Sequence, residues 1–263
     1  MPPTVAAFFD VDRTLLAGAS GFHLARPMRS RGLLTTRQLV RSALLGVAFA
    51  RQGTNHRQLD RFTATFSELI RGWDRSTLTC IVEDELERRV RPMVFEEALE
   101  RIASHQAQGH RVYAVSATME EIIAPLAQLL GMDGAIATQL EVVDGVFTGE
   151  VALANHGDAK ADRIRAFAAE HDIDLASSSA YSDSITDAEF LRAVGRPYAV
   201  NPDRQLRRLA EDEGWGILGF TTRVKAPLHR RRAARVGLVA VAGGLALRAA
   251  RRRSRSRAGS RVR

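Results

Sequence analysis

Residues 8–16 read Phe8-Phe9-Asp10-Val11-Asp12-Arg13-Thr14-Leu15-Leu16, and Val5-Ala6-Ala7 lead into them. The apolar run 5–9 has the length of a strand buried on both faces, the kind found inside parallel sheets. Two carboxylates, two residues apart, end it. Burying carboxylates there is costly unless a cation or a hydrogen-bond network receives them. In an open parallel sheet, the carboxyl end of a strand is also where ligands bind. An isolated Asp-x-Asp more often starts a turn, so its meaning depends on the motifs that accompany it farther along the chain.

From about residue 94 to 218, short β-branched or small-residue runs alternate with segments of helical periodicity. Strands are expected at 5–9, 112–115, 135–137, 178–181, 198–200 and 216–218, and helices at 95–108, 120–130, 159–171, 187–194 and 203–213. Gly131 and Gly195 stand where C-terminal caps would fall. Such βα crossovers favour a parallel sheet. About a hundred residues separate the first two strands, far more than the usual loop of roughly 2–6 residues, so an inserted domain is expected. Its segments 21–29, 36–50, 55–70 and 75–90 read as helices. Val143-Asp144-Gly145-Val146 sets an Asp-Gly turn between apolar runs, a β-hairpin signal. The expected fold is α/β, a doubly wound parallel sheet with an inserted helical cap and a small hairpin. Residues 1–16 and 92–223 form the core in this reading, 17–91 the cap and 224–263 a basic tail.

The formal net charge of +8 is unevenly spread. Residues 224–263 hold 13 Lys and Arg and no acid, which leaves 25 basic against 30 acidic residues before them. The basic balance therefore belongs to the tail, and the body gives no nucleic-acid signal of its own. One cysteine, Cys80, excludes an intramolecular disulfide and a cysteine-based zinc site. With no basic run or apolar h-region ahead of the first strand, the reading is a cytoplasmic protein without a signal peptide.

Three further motifs come in order, each beside an expected strand or helix start: Val115-Ser116-Ala117-Thr118, Gly157-Asp158-Ala159-Lys160, and Tyr181-Ser182-Asp183-Ser184-Ile185-Thr186-Asp187. With these four motifs the chain resembles the haloacid dehalogenase superfamily, specifically its phosphoserine-phosphatase-like branch (subfamily IB), over about residues 4–220. The resemblance implies a phosphatase. Asp10 would attack phosphorus and form an aspartyl-phosphate, splitting one hard displacement into two. Asp12 would protonate the leaving oxygen and then deprotonate the hydrolytic water, which requires a raised pKa. Mg²⁺ would take oxygens from the Asp10 and Asp183 carboxylates and the Asp12 backbone carbonyl, with Asp187 as a supporting acid. Ser116 would bind a phosphate oxygen, and Lys160 would offset the transferring charge.

Arg13 and Ser182 stand where many superfamily members have Gly; Arg13 is expected to affect loop packing or leaving-group access, and Ser182 to restrict the backbone beside the metal. Residues 17–30 contain no Asp or Glu to meet a substrate ammonium, which argues against phosphoserine. Cap arginines Arg51, Arg57 and Arg61 read as a solvated face or an anion-receiving one, and residues 39–49 as cap core or a contact surface. In the tail, residues 236–247 carry no charge and lie between arginines. Twelve residues span about 18 Å as a helix, short of a bilayer's roughly 30 Å, so interfacial anchoring on an anionic leaflet is favoured over a crossing. Nucleic-acid contact ranks below it, because no aromatic residue is interleaved for stacking. The leading expectation is an Mg²⁺-dependent hydrolase of a small phosphate monoester, with a lipid-derived one met near the inner membrane face as its narrower form. A phosphoserine phosphatase stays open beside it, as does a membrane-tethered or nucleic-acid-binding regulatory protein on an inactive fold of this kind.

Overall fold

A computed structural model describes residues 3–20, 27–29, 31–32 and 67–224. Strand β1 (Ala6–Asp10) is buried along its whole length. Ala7 and Phe9 pack into one apolar cluster, and Ala6 and Phe8 into another on the opposite face. That two-sided burial is why five consecutive residues carry no outward polar position.

Farther along the described chain come α1 (Arg75–Glu85), α2 (Glu96–Ala107), β2 (Arg111–Met119), α3 (Glu120–Leu129), β3 (Gly134–Val143) and β4 (Val146–Leu153). Then follow α4 (Asp158–Glu170), β5 (Ser179–Ser182), α5 (Ala188–Arg192), β6 (Arg196–Val200), α6 (Arg204–Asp212) and β7 (Gly216–Leu218). The seven strands order as β4-β3-β2-β1-β5-β6-β7. All neighbours are parallel except β3 and β4. Ala98 and Ile102 of α2 and Ile122, Ile123 and Leu126 of α3 cover one face. Ile164 of α4, Phe190 and Leu191 of α5 and Leu206 of α6 cover the other. The sheet is doubly wound, and its order reverses between β1 and β5, where such sheets open a binding crevice.

Local chemistry sets the element ends. Asp74 Oδ1 accepts from Thr77 N at 2.7 Å to start α1, and Asp203 Oδ1 accepts from Leu206 N at 2.8 Å to start α6. Asp144 (φ 51°) and Gly145 (φ 80°) make the left-handed two-residue turn of the hairpin. Gly131 closes α3 with φ 69°.

Some expectations are revised. The strand expected at 135–137 is longer than expected: β3 runs unbroken from the core sheet into the hairpin, which forms as expected. The helix expected at 75–90 is α-helical only to Glu85 and continues as a π turn, Leu86–Val90. Gly195 lacks a positive φ; a Cβ there would lie 1.8 Å from the Ala176 carbonyl oxygen, so close backbone approach requires glycine rather than a helix cap. The helix expected at 36–50, residues 55–66 of the helix expected at 55–70, most of 21–29, and the tail beyond Val224 lie outside the described residues. No helix among the described residues is long and apolar enough to cross a membrane.

Candidate active site

The carboxyl ends of β1, β2 and β5 and the first turn of α4 bring the sequence motifs together. Asp10 is the last residue of β1 and pairs with Val115, which places Ser116 one step beyond it on β2. Lys160, in the first turn of α4, is 2% exposed and reaches Asp10 Oδ1 at 2.6 Å and Asp187 Oδ2 at 2.7 Å. Its ammonium also lies 4.6 Å from the centre of the Phe190 ring. Ser182 Oγ donates to Asp187 Oδ2 at 2.6 Å. The serine that replaces a more usual glycine thus holds the acid that in turn holds Lys160.

Asp12 sits in the turn after β1, where Val11 O accepts from Leu15 N and Leu16 N, both at 3.0 Å. Its Oδ1 accepts from Ser20 N at 2.6 Å and its Oδ2 from Thr118 Oγ1 at 3.1 Å. Arg13 adopts φ 68° in that turn. Its Nε lies 3.2 Å from Asp183 Oδ2, with the Arg13 side chain 65% exposed and that of Asp183 buried. The pair lacks hydrogen-bond alignment, and this Asp183 oxygen has no hydrogen-bond partner.

The electrostatics follow from three buried carboxylates, Asp10, Asp183 and Asp187, and the half-buried Asp12 around one buried ammonium. Burial pushes the Asp10 carboxyl up to about 7; Asp187 and Asp12 add to this while Lys160 opposes it. Burial also raises Asp12, against the hydrogen bonds from Ser20 and Thr118. Asp183 is raised well above the carboxylate range by burial and by Asp10, with Arg13 opposing. Burial alone would lower Lys160, but Asp10 and Asp187 outweigh it and raise it.

An excess of negative charge and an orphaned Asp183 oxygen fit a hard divalent cation, which prefers oxygen donors. Among the described residues no three Asp, Glu, His or Cys side chains converge on one ion. That is compatible with a set of two carboxylates, Asp10 and Asp183, and one backbone carbonyl, Asp12. One Asp187 oxygen, Oδ2, is committed to Lys160 and Ser182.

Spacing alone does not reveal several supporting residues. Asn155 is fully buried, and its Nδ2 donates to Ser116 O at 2.8 Å and to Ile136 O at 2.7 Å. Thr138 Oγ1 donates to Ala117 O at 2.8 Å. Together they clamp the loop that carries Ser116, whose Oγ accepts from Thr118 N at 3.1 Å and so keeps its own proton for an outside acceptor. The only signals in the sequence were an Asn and a Thr in otherwise apolar surroundings.

Residues 7–192 match the family described as haloacid dehalogenase-like hydrolase. The "Probable phosphatase Rv3661" of Mycobacterium tuberculosis (strain H37Rv) is 41% identical over 247 residues, 91% of this chain and 86% of its own. The same strain's "Phosphoserine phosphatase SerB1" is 34% identical over 262 residues, 96% of this chain and 82% of its own. A crystal structure of a protein of unknown function from Bordetella pertussis Tohama I superposes with a TM-score of 0.73 at 27% identity, covering 82% of this chain and 98% of that one.

Proposed function

The chain belongs to the haloacid dehalogenase-like hydrolase family, and from that premise we propose that it is an Mg²⁺-dependent phosphatase acting on a small phosphate monoester through an aspartyl-phosphate on Asp10. The observation that carries this is the hydrogen-bonded array Asp10–Lys160–Asp187 at the mouth of β1, with Asp12 alongside. Asp10 is the nucleophile, held and aimed through Oδ1 by Lys160. Its other oxygen is left to attack phosphorus. Asp12 gives a proton to the leaving oxygen and later takes one from the water that hydrolyses the intermediate; its raised pKa suits both tasks. Ser116 donates to a phosphate oxygen, and Lys160 offsets charge as the group transfers. An Mg²⁺ held by Asp10, Asp183 and the Asp12 carbonyl would supply the charge that draws the phosphate in and stabilises its transfer.

The substrate reading is a small phosphate monoester, with a lipid-derived one met near an anionic membrane surface as its sharper form. That form rests on the basic, partly apolar tail 224–263. The alternative is phosphoserine, favoured by the name of the SerB1 relative and opposed by the absence of acid in residues 17–30. The domain division expected from the sequence, with a cap at 17–91, belongs to the same proposal. The test is a panel of metabolite and lipid phosphates with Mg²⁺ or excess chelator, run on the parent and on Asp10→Asn. Asp10→Asn is expected to lose at least about 10³-fold in turnover while melting cooperatively, because the amide cannot act as the anionic nucleophile. Appreciable hydrolysis by pure Asp10→Asn would refute the covalent route, and full activity in chelator would remove the ion.

A further inference from the structure

The two oxygens of Asp12 are held by chemically different partners. Oδ1 accepts from the backbone N–H of Ser20 at 2.6 Å. A backbone N–H can only donate, so Oδ1 remains an acceptor whatever the state of the carboxyl group. Oδ2 is held by the Thr118 hydroxyl at 3.1 Å. A hydroxyl both donates and accepts, so by rotation it can serve a bare Oδ2 or one that carries a proton.

Thr118 reaches this position through an irregularity in the sheet. Between β2 and β3 the pairing steps from Ser116↔Ala137 to Met119↔Thr138, leaving Ala117 and Thr118 unmatched. Bulges of this kind re-aim side chains next to active sites. The loop is then fixed, since Thr118 N is tied to Ser116 Oγ at 3.1 Å, Ala117 O to Thr138, and Ser116 O to Asn155. The contact with Asp12 is therefore preformed across 106 residues of sequence.

We infer that Thr118 is a positioning residue for the hydrolysis: it selects Oδ2 of Asp12 as the oxygen that carries the working proton and holds that oxygen steady through both half-reactions. This rests on the reading of Asp12 as the acid and base. In the first half-reaction Asp10 forms a bond to phosphorus and the ester P–O bond breaks; the Oδ2 proton passes to the departing oxygen, releasing an alcohol. In the second, water bonds to phosphorus, its proton passes to Oδ2, and the bond to Asp10 breaks, releasing phosphate. Thr118 ends each cycle unchanged. Ser20 N holds the opposite oxygen, Oδ1, with a group that can only donate.

A merely structural role would slow all substrates alike, whereas a role in leaving-group protonation falls hardest on esters that need the proton most. The experiment uses the full chain with saturating Mg²⁺ and compares kcat/KM, which reports the leaving-group step, for p-nitrophenyl phosphate and for β-glycerol phosphate. A positioned acid contributes about 10²–10⁴-fold, and loss of its orientation forfeits part of that. Thr118→Val is expected to lower kcat/KM for β-glycerol phosphate by about 10–100-fold and that for p-nitrophenyl phosphate by less than about 3-fold. Thr118→Ser should bring both to within a few-fold of the parent. Equal losses on the two esters, or no rescue by serine, would overturn the inference while leaving the phosphatase reading intact. Should the valine variant not fold, Thr118→Ala carries the same comparison. A parent that hydrolyses neither ester nor any of the wider panel would sink the phosphatase reading first, and this one with it.

Discussion

Lys160→Met removes one charge from the centre of the site and leaves its volume nearly filled. In the parent the ammonium is 2% exposed and lies 2.6 Å from Asp10 and 2.7 Å from Asp187. Breaking a buried ion pair by deleting one partner costs about 3–5 kcal/mol, because the remaining charge is buried without compensation. Here two carboxylates lose the same partner, so the upper part of that range applies. For a domain of this size each kcal/mol moves the melting temperature by about 2–4 °C, so about 4–5 kcal/mol gives a loss of roughly 8–20 °C. The assay is thermal melting by circular dichroism of the full chain in excess chelator, so that no divalent ion replaces the missing charge. The size of a second substitution's effect makes the test sharp. Asp10→Asn removes a carboxylate whose pKa burial has already raised, so in chelator it should stabilise Lys160→Met, where that charge is uncompensated, more than it stabilises the parent, where Lys160 offsets it. A Lys160→Met loss below about 1 kcal/mol, or a double variant less stable than Lys160→Met alone, would refute the view that Lys160 neutralises these acids.

Arg13→Gly should raise the melting temperature by a few degrees, since a left-handed φ of 68° costs a non-glycine residue roughly 1–2 kcal/mol and an ion pair made from the solvent side by a 65% exposed Arg13 returns less. It should also lower the Mg²⁺ concentration at the midpoint of a thermal-shift titration, because Arg13 no longer neutralises Asp183; a higher midpoint would show that it does not compete there. His105 is lowered to about 4, chiefly by burial, with His110, Arg101 and Arg196 adding to it. The unfolded chain therefore takes up this proton first, so the contribution is complete above about pH 6.5 and falls as pH drops toward 4, by roughly 1–3 kcal/mol. Urea midpoints of the parent should fall between pH 7 and pH 5 more than those of His105→Gln, and parallel curves would contradict the assignment. Truncation after Val224, which keeps the Val224 N to Val94 O bond of 2.9 Å, should leave p-nitrophenyl phosphate turnover intact and abolish binding to anionic vesicles. If a Leu238→Asp, Leu245→Asp variant of the full chain binds vesicles as tightly as the parent, the apolar segment is not an anchor.

The features legible in the sequence were those that short-range pattern determines. The strand Ala6–Asp10 could be read because burial on both faces leaves an unbroken apolar run, and the hairpin turn because Asp144 and Gly145 tolerate positive φ. The motif acids could be read because each directly follows a strand or opens a helix, and in a parallel sheet those points share one edge. Periodicity could not tell that β3 serves both the core sheet and the hairpin, because its first half is buried and its second half alternates. It also could not tell a capping glycine from one needed for close approach, as at Gly195, where the decisive neighbour, Ala176, belongs to another loop.

The contacts that sequence spacing missed have a common cause. Thr118 to Asp12, Asn155 to Ser116 and Arg13 to Asp183 all depend on register between segments far apart in sequence. A paired strand's side chains alternate strictly, and residues that drop out of the pairing escape that alternation. The irregularity after Ser116 is such a place, turning a Thr that would otherwise read as ordinary strand polarity toward the acid. Ser182 makes the same point from the opposite direction. As a departure from glycine it suggested only restricted backbone, yet its hydroxyl, 2.6 Å from Asp187, gives the buried acid a second donor besides Lys160. On the proposed reading of Asp10 as the nucleophile, a buried carboxylate with two committed donors steadies the Lys160 that reaches Asp10, and this replacement supplies the second donor.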